Sequence, residues 1–241
     1  MPRGVNMYDE GRIQQRNFSA SDNIQIISPG TITEGLVRNY DAGNYASYPA
    51  SGTVWRDLCG PLTFCNISGS PTYSPANGGT FSFTGSTQYA DSSANLTLGN
   101  NAASLSVWVK HSSTTTPTRQ RYLNLGSEDF VIRSNSGTLQ TYITLSGTIR
   151  TLSGSATDTN WSHIVATWNG SVLAFYRNAV QMSTSTPPAG SLNASLSSLI
   201  ISHPSTEYMN GNISSAAVYN RALSPQEIAQ NFNATRARFG V

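Results

Sequence analysis

The chain has 241 residues, with 14 Lys and Arg against 12 Asp and Glu, and is 38% hydrophobic but only 11% charged. That much apolar surface can offset the entropy of ordering one large domain, which argues against wholesale disorder. A net charge of +2 without a basic run argues against a nucleic-acid surface, and no apolar run is long enough to span a bilayer as a helix.

Residues 1–34 lack sustained alternation and read as an extended N-terminal anchoring arm, with Arg3, Arg12, Arg16 and Phe18 as candidate partner contacts. The start of the chain carries no apolar stretch of signal-peptide length, so the expected compartment is the cytosol in which it is made. Cys59 and Cys65 are the only cysteines and sit in a Gly/Pro loop. In that compartment free thiols are expected, a small disulfide being the alternative under oxidising conditions.

Residues 35–223 read as one all-β domain. Leu105 to Lys110 alternates Leu, Val and Val on one face, the period of two of a half-buried strand. Further strands are predicted over 121–125, 130–133, 139–145, 149–152, 161–168, 172–177 and 199–202, with Gly, Asn, Ser and Pro between them. So many short strands argue for two packed antiparallel sheets rather than a βαβ arrangement. A hairpin is expected near Tyr176 to Val180, but Ala179 is a poor residue for positive φ, so the turn is expected to be distorted or longer.

Residues 224–241 form the one strong helix signal. Ser224 is an N-cap, Pro225 stands at the first helical position, Glu227 completes a capping box, and Leu223 can staple to Ile228. Ile228 and Phe232 share a face, and Gly240 is available as a terminator.

Three segments together resemble the concanavalin A-like, laminin-G-like jelly-roll superfamily. They are Phe81-Ser82-Phe83-Thr84-Gly85 leading to Tyr89, Trp161 through Gly170, and Gly211-Asn212-Ile213 through Val218-Tyr219-Asn220-Arg221-Ala222-Leu223-Ser224. The resemblance implies a two-sheet antiparallel jelly-roll β-sandwich. The opening Gly35 through Asn44, with Tyr48-Pro49 and Trp55-Arg56-Asp57-Leu58, is similar to modules of tailed-bacteriophage virion structural proteins. It implies a capsid decoration or tail-attached subunit that grips virion proteins through its arm, in many copies or as a homo-oligomer. Relatives often carry calcium on Asp and Asn side chains and backbone carbonyls. Here Ser214 and Ser215 stand where many have acids, which leaves Asp41, Asp57, Asp91, Glu128 and Asp129 as weak calcium candidates.

Glucanases of such a fold need two opposed carboxylates, and their Glu-x-Asp-x-Glu strand is missing. Glu128 and Asp129 would point to opposite faces of a strand, while Glu207 and Glu227 stand alone, so no catalysis is expected. His111, His163 and His203 lack metal-ligand spacing, and a hydrogen-bonded structural role is expected for His163. Trp108, Trp161 and Trp168 lie in predicted strands and are expected in the core. Trp55, with Asp57 and Tyr89, is the candidate carbohydrate-contact set. Two readings result: a non-enzymatic virion subunit is preferred, and a glycan-binding adhesion module is the alternative.

Overall fold

The structure is a computed structural model that describes residues 30–60, 62–98, 101–114, 119–192, 195–196, 198–203 and 207–241. The arm candidates Arg3, Arg12, Arg16 and Phe18 lie outside them. In chain order the strands are β1 (Leu36–Asp41), β2 (Val54–Arg56), β3 (Phe64–Ser68), β4 (Thr72–Ser74), β5 (Thr80–Thr84), β6 (Tyr89–Ser92), β7 (Leu96–Thr97), β8 (Ala103–His111) and β9 (Gln120–Leu125). They continue as β10 (Phe130–Asn135), β11 (Thr138–Leu145), β12 (Thr148–Ala156), β13 (Ser162–Trp168), β14 (Leu173–Arg177), β15 (Val180–Ser185), β16 (Ser195–Leu196), β17 (Leu199–Ser202) and β18 (Asn210–Tyr219). One α-helix, α1 (Pro225–Thr235), and a 3₁₀ turn over Arg236–Phe239 close the chain.

The strands form two antiparallel eight-stranded sheets and a small pair, β16 with β7. The first sheet runs β15-β14-β13-β8-β18-β5-β4, with β1 also paired to β18; the second runs β12-β11-β10-β9-β17-β6-β3-β2. Alternation turns Leu105, Val107, Val109, Ile164, Ala166 and Phe175 of the first sheet inward. They meet Leu123, Leu125, Phe130, Ile132, Ile143 and Ile201 of the second in one core. The fold is the all-β sandwich that the strand pattern predicts.

Among the described residues, only the first sheet carries a helix on its outer face. Val165, Ala174, Tyr176 and Tyr219 point outward and pack with Leu223 and Ile228, the residues of the predicted staple. Trp108 and Trp161, also turned outward, are covered by Phe232 and Phe239. The cap is as read: Ser224 Oγ accepts from Glu227 N–H, Glu227 accepts from Ser224 N–H, and Arg221 makes a bidentate pair with the Glu227 carboxylate. Gly240 takes φ +70° at the C-cap of the 3₁₀ turn. Gly30 to Glu34, the end of the predicted arm, runs along this same cover: Asn231 accepts from Ile32 N–H, and Gln230 donates to the Gly30 carbonyl.

Trp168 is fully buried in the main core, while Trp108 and Trp161 are buried beneath the C-terminal cover. The β14–β15 hairpin departs from expectation. It is a tight two-residue turn, with Arg177 facing Val180 and both Asn178 and Ala179 at positive φ, 49° and 66°. Asn178 explains it: its N–H donates to the His163 carbonyl and its Oδ1 accepts from His163 N–H, so the neighbouring strand holds the turn that Ala179 disfavours.

Candidate functional site

Leu123 and Leu125 of β9 face the core, so plain alternation would put Arg121 inside with them. A bulge prevents this. Ile132 lies opposite Leu123, but Arg133 lies opposite Arg121, which leaves Tyr122 as the extra residue. Tyr122 turns into the core, where its hydroxyl meets Nε2 of His111, and Arg121 emerges on the outer face of the second sheet.

Two arginines directly opposed in a ladder repel. Glu207, from the segment between β17 and β18, resolves the conflict. Its Oε2 accepts from Arg121 Nε at 2.6 Å, while its Oε1 lies 3.4 Å from Arg119 Nη1 and 3.7 Å from Arg133 Nη1. Glu128, presented by the β9–β10 turn at φ +70°, accepts from Arg121 Nη2. Arg133 lies over the Tyr142 ring at 4.7 Å from its centroid and donates to Gln140 Oε1. These side chains, with His203 and the exposed Ile149 on β12, line a pocket of about 410 Å³.

Three guanidiniums against two carboxylates give the pocket an excess positive charge. Burial would raise the Glu207 carboxyl, but the hydrogen bond and charge of Arg121, joined by Arg133 and Arg119, outweigh it and hold it below the usual carboxylate range. Burial lowers His203, with the charge of Arg121 acting in the same direction. Burial pushes the Tyr142 hydroxyl up to about 12. Arg121 is 4% exposed, and its Nη1 is buried without a hydrogen-bond partner among the described residues.

A laminin G family model, described as concanavalin A-like lectin/glucanases superfamily, matches residues 84–229, more than half of the chain. The chain belongs to this superfamily. A search of curated proteins finds no match. Among solved structures, the receptor-binding domain of botulinum neurotoxin C/D mosaic serotype is 12% identical with a TM-score of 0.67. The match covers 83% of this chain and 51% of that one. The binding domain of botulinum neurotoxin DC in complex with rat synaptotagmin II is 11% identical at TM-score 0.66, and the same toxin's binding domain in complex with SialylT is 12% identical at 0.64. Each of these two matches covers 83% of this chain and 52% of the other. This chain therefore spans about half the length of those structures, and at such identity the likeness is one of fold.

Within this superfamily frame the expected site residues separate. Trp55, expected as a sugar platform, is corrected: it is 0% exposed and packs on Phe81 and Tyr40 at 4.8 and 6.0 Å, so no ligand reaches its ring. Asp57 is also buried. Its carboxylate accepts from Asn39 N–H, Cys59 N–H and the Thr63 hydroxyl, which ties down the loop beside β1. Tyr89 and Asp91 flank the inward Ala90 on β6, so both project from the same outer face as Arg121, two strands away and roughly 10 Å across the sheet. Glu128 lies in the pocket, and Asp129 accepts from Ser127 N–H.

Among the described residues the candidate carboxylates do not converge on one calcium centre. Glu128 is held by Arg121, Asp91 stands two strands off, and no group of three His, Cys, Asp or Glu among the described residues could hold a metal ion. At Asp41 the cation is the protein's own. Arg238 Nη1 lies 2.8 Å from the Asp41 carboxylate, its Nε donates to the Asn77 carbonyl, and its Nη2 donates to the Gly79 carbonyl and the Ser214 hydroxyl. Packing there is too close for any side chain at Gly43, whose Cβ would fall 1.5 Å from the Gly78 carbonyl oxygen. Cys59 and Cys65 are free thiols; burial first, then Asp57, pushes Cys59 up to about 12.

His163 has the structural role expected of it. Its Nε2 shares a hydrogen bond with Ser106 Oγ at 2.8 Å, and the ring stacks near Trp108 and Phe232. The sequence reading missed Arg121, Arg133, Tyr142 and Glu207 as one site, and it treated Glu207 as solitary. The one signal available was a charged residue, Arg121, at the start of the apolar register of a predicted strand.

Proposed function

We propose that the chain is a non-catalytic binding module whose ligand surface is the outer face of the second sheet around Arg121. The supporting observation is the asymmetry of cover among the described residues: α1 and the 3₁₀ turn occupy the outer face of the first sheet, while the second carries an open, polar pocket. A pocket of about 410 Å³ lies in the size range of small-ligand sites. The lectin-like fold, shared with receptor-binding domains of botulinum neurotoxins, favours a glycan as the class of ligand.

The same pocket argues against hydrolysis. A glycosidase acid must hold its proton near working pH, which requires a raised pKa. Glu128 and Glu207 share the pocket but both bind Arg121, and Glu207 is shifted the wrong way for an acid. A virion setting, with the arm as the attachment to neighbouring subunits, is the finer part of the proposal and rests on the resemblance of Gly35 through Asn44, Tyr48-Pro49 and Trp55 through Leu58 to phage modules. Many copies on one particle would turn weak sugar contacts into firm adhesion.

The test is a glycan array run with the native chain and with Ile149→Asp, which places a charge on an exposed residue of the pocket wall. Binding by the native chain that is lost in the variant supports the proposal, as does the absence of reducing-sugar release from β-glucans. A blank array, with and without calcium, would sink it.

A further inference from the structure

The pocket is built with unused capacity for a negative group. Glu207 and Glu128 engage two corners of the Arg121 guanidinium, Nε and Nη2, while Nη1 is left without a partner among the described residues. An unsatisfied buried donor costs on the order of 1–3 kcal/mol, and this one belongs to a side chain that lines the pocket, where an acceptor on a ligand would relieve that cost. Arg121 forms the floor at 4% exposure, whereas Arg119 and Glu128 form a rim at 56% and 49%. The rim can therefore move without disturbing the ladder. Glu207 is shared among Arg121, Arg119 and Arg133, so two carboxylates leave one positive charge in excess, and the exposed apolar side chain of Ile149 stands beside this polar floor.

We infer that this pocket takes a sugar residue bearing a carboxylate, its charged group held by the Arg121 and Arg119 guanidiniums and its apolar ring face against Ile149. Planar guanidinium forks match a carboxylate with two parallel hydrogen bonds, a geometry that a neutral hydroxyl cannot reproduce. The inference rests on the binding role proposed above and adds the chemical class of the ligand. It also assigns Glu128 a role: as the exposed partner of Arg121, it is a resident carboxylate with which the ligand's own must compete.

The test reads two variants of opposite expected sign. Native chain, Arg119→Gln and Glu128→Gln are run on an array of uronate-containing, sialylated, sulfated and neutral glycans. Calorimetry then follows with the best carboxylated binder and its methyl ester. Carboxylated members should bind, and esterification should abolish binding. Arg119→Gln should weaken affinity about tenfold or more, the scale of one charge-assisted hydrogen bond, while Glu128→Gln should strengthen it. Both changes lie on half-exposed side chains, and matching thermal melts confirm that the fold is intact. Preference for neutral glycans, indifferent to Arg119→Gln, would overturn the carboxylate assignment and leave the binding role standing. Preference for sulfated over carboxylated members also overturns it. A blank array removes both readings together.

Discussion

Arg121 lies directly opposite Arg133 across the β9–β10 ladder, and Glu207 reaches both guanidiniums from a segment 86 residues further along the chain. Alone, the two arginines would push their strands apart. Side-chain exposures of 4% for Arg121 and 8% for Glu207 make the pair a buried one. Removing one partner of such a pair leaves an uncompensated charge, so Glu207→Ala should cost about 3–5 kcal/mol, read as a lower urea midpoint at unchanged slope. Loss of well under 1 kcal/mol would show that the network is solvated.

Stability should fall in mild acid because two histidines are buried neutral. Burial lowers His163 from 6.5 to about 3; at His111 burial, opposed by Asp158 and aided by Arg177, lowers it to about 4. Between 6.5 and those values the unfolded chain binds protons that the folded chain refuses, so stability rises with pH across the window. It is complete above 6.5 and declines as pH falls toward 4 and then 3. Each histidine contributes a slope of at most about 1.4 kcal/mol per pH unit. Melts from pH 7 to pH 4 should show the decline, and His163→Gln should flatten it.

The hairpin at Asn178-Ala179 stores strain that one substitution can release. Ala179 sits at φ 66°, where a Cβ costs about 1 kcal/mol or more relative to glycine. Ala179→Gly converts the turn to Asn-Gly, the dipeptide that type I′ turns favour, and should stabilise the chain by about 1 kcal/mol. A fall in melting temperature would mean that the added freedom of the unfolded chain outweighs the relief.

Arg238 acts as an internal cation among the Asp41 carboxylate, two carbonyls and the Ser214 hydroxyl, and it pins the C-terminal turn to the first sheet. Arg238→Ala should lower stability by about 3 kcal/mol, since it strands a largely buried carboxylate. Millimolar calcium should leave the melting temperature of the native chain unchanged. A calcium-dependent rise would show that a metal centre exists.

Much of the architecture was legible in the sequence because it is local. Ser224, Pro225 and Glu227 announce the helix start through a reciprocal hydrogen bond spanning three residues, and the period of two in Leu105, Val107 and Val109 marks a core-facing strand. Local spacing also misled. Trp55 looked free because it stands outside the clear alternation, yet Phe81 and Tyr40, distant in sequence, enclose it. Ala179 argued against a tight turn that Asn178 secures through His163 on the neighbouring strand.

The proposed binding face was decided only by the tertiary structure. Alternation along β9 assigns Arg121 to the core, and one extra residue, Tyr122, reverses that assignment; a bulge is defined by the partner strand, and a charge in the apolar register is its one local hint. Glu207 acquires its meaning only when chain closure brings it between two arginines, and which sheet stays open depends on where α1 docks. Periodicity and caps are short-range physics that a sequence displays directly. Register, cover and charge neutralisation are long-range relations that exist only once the two sheets have met.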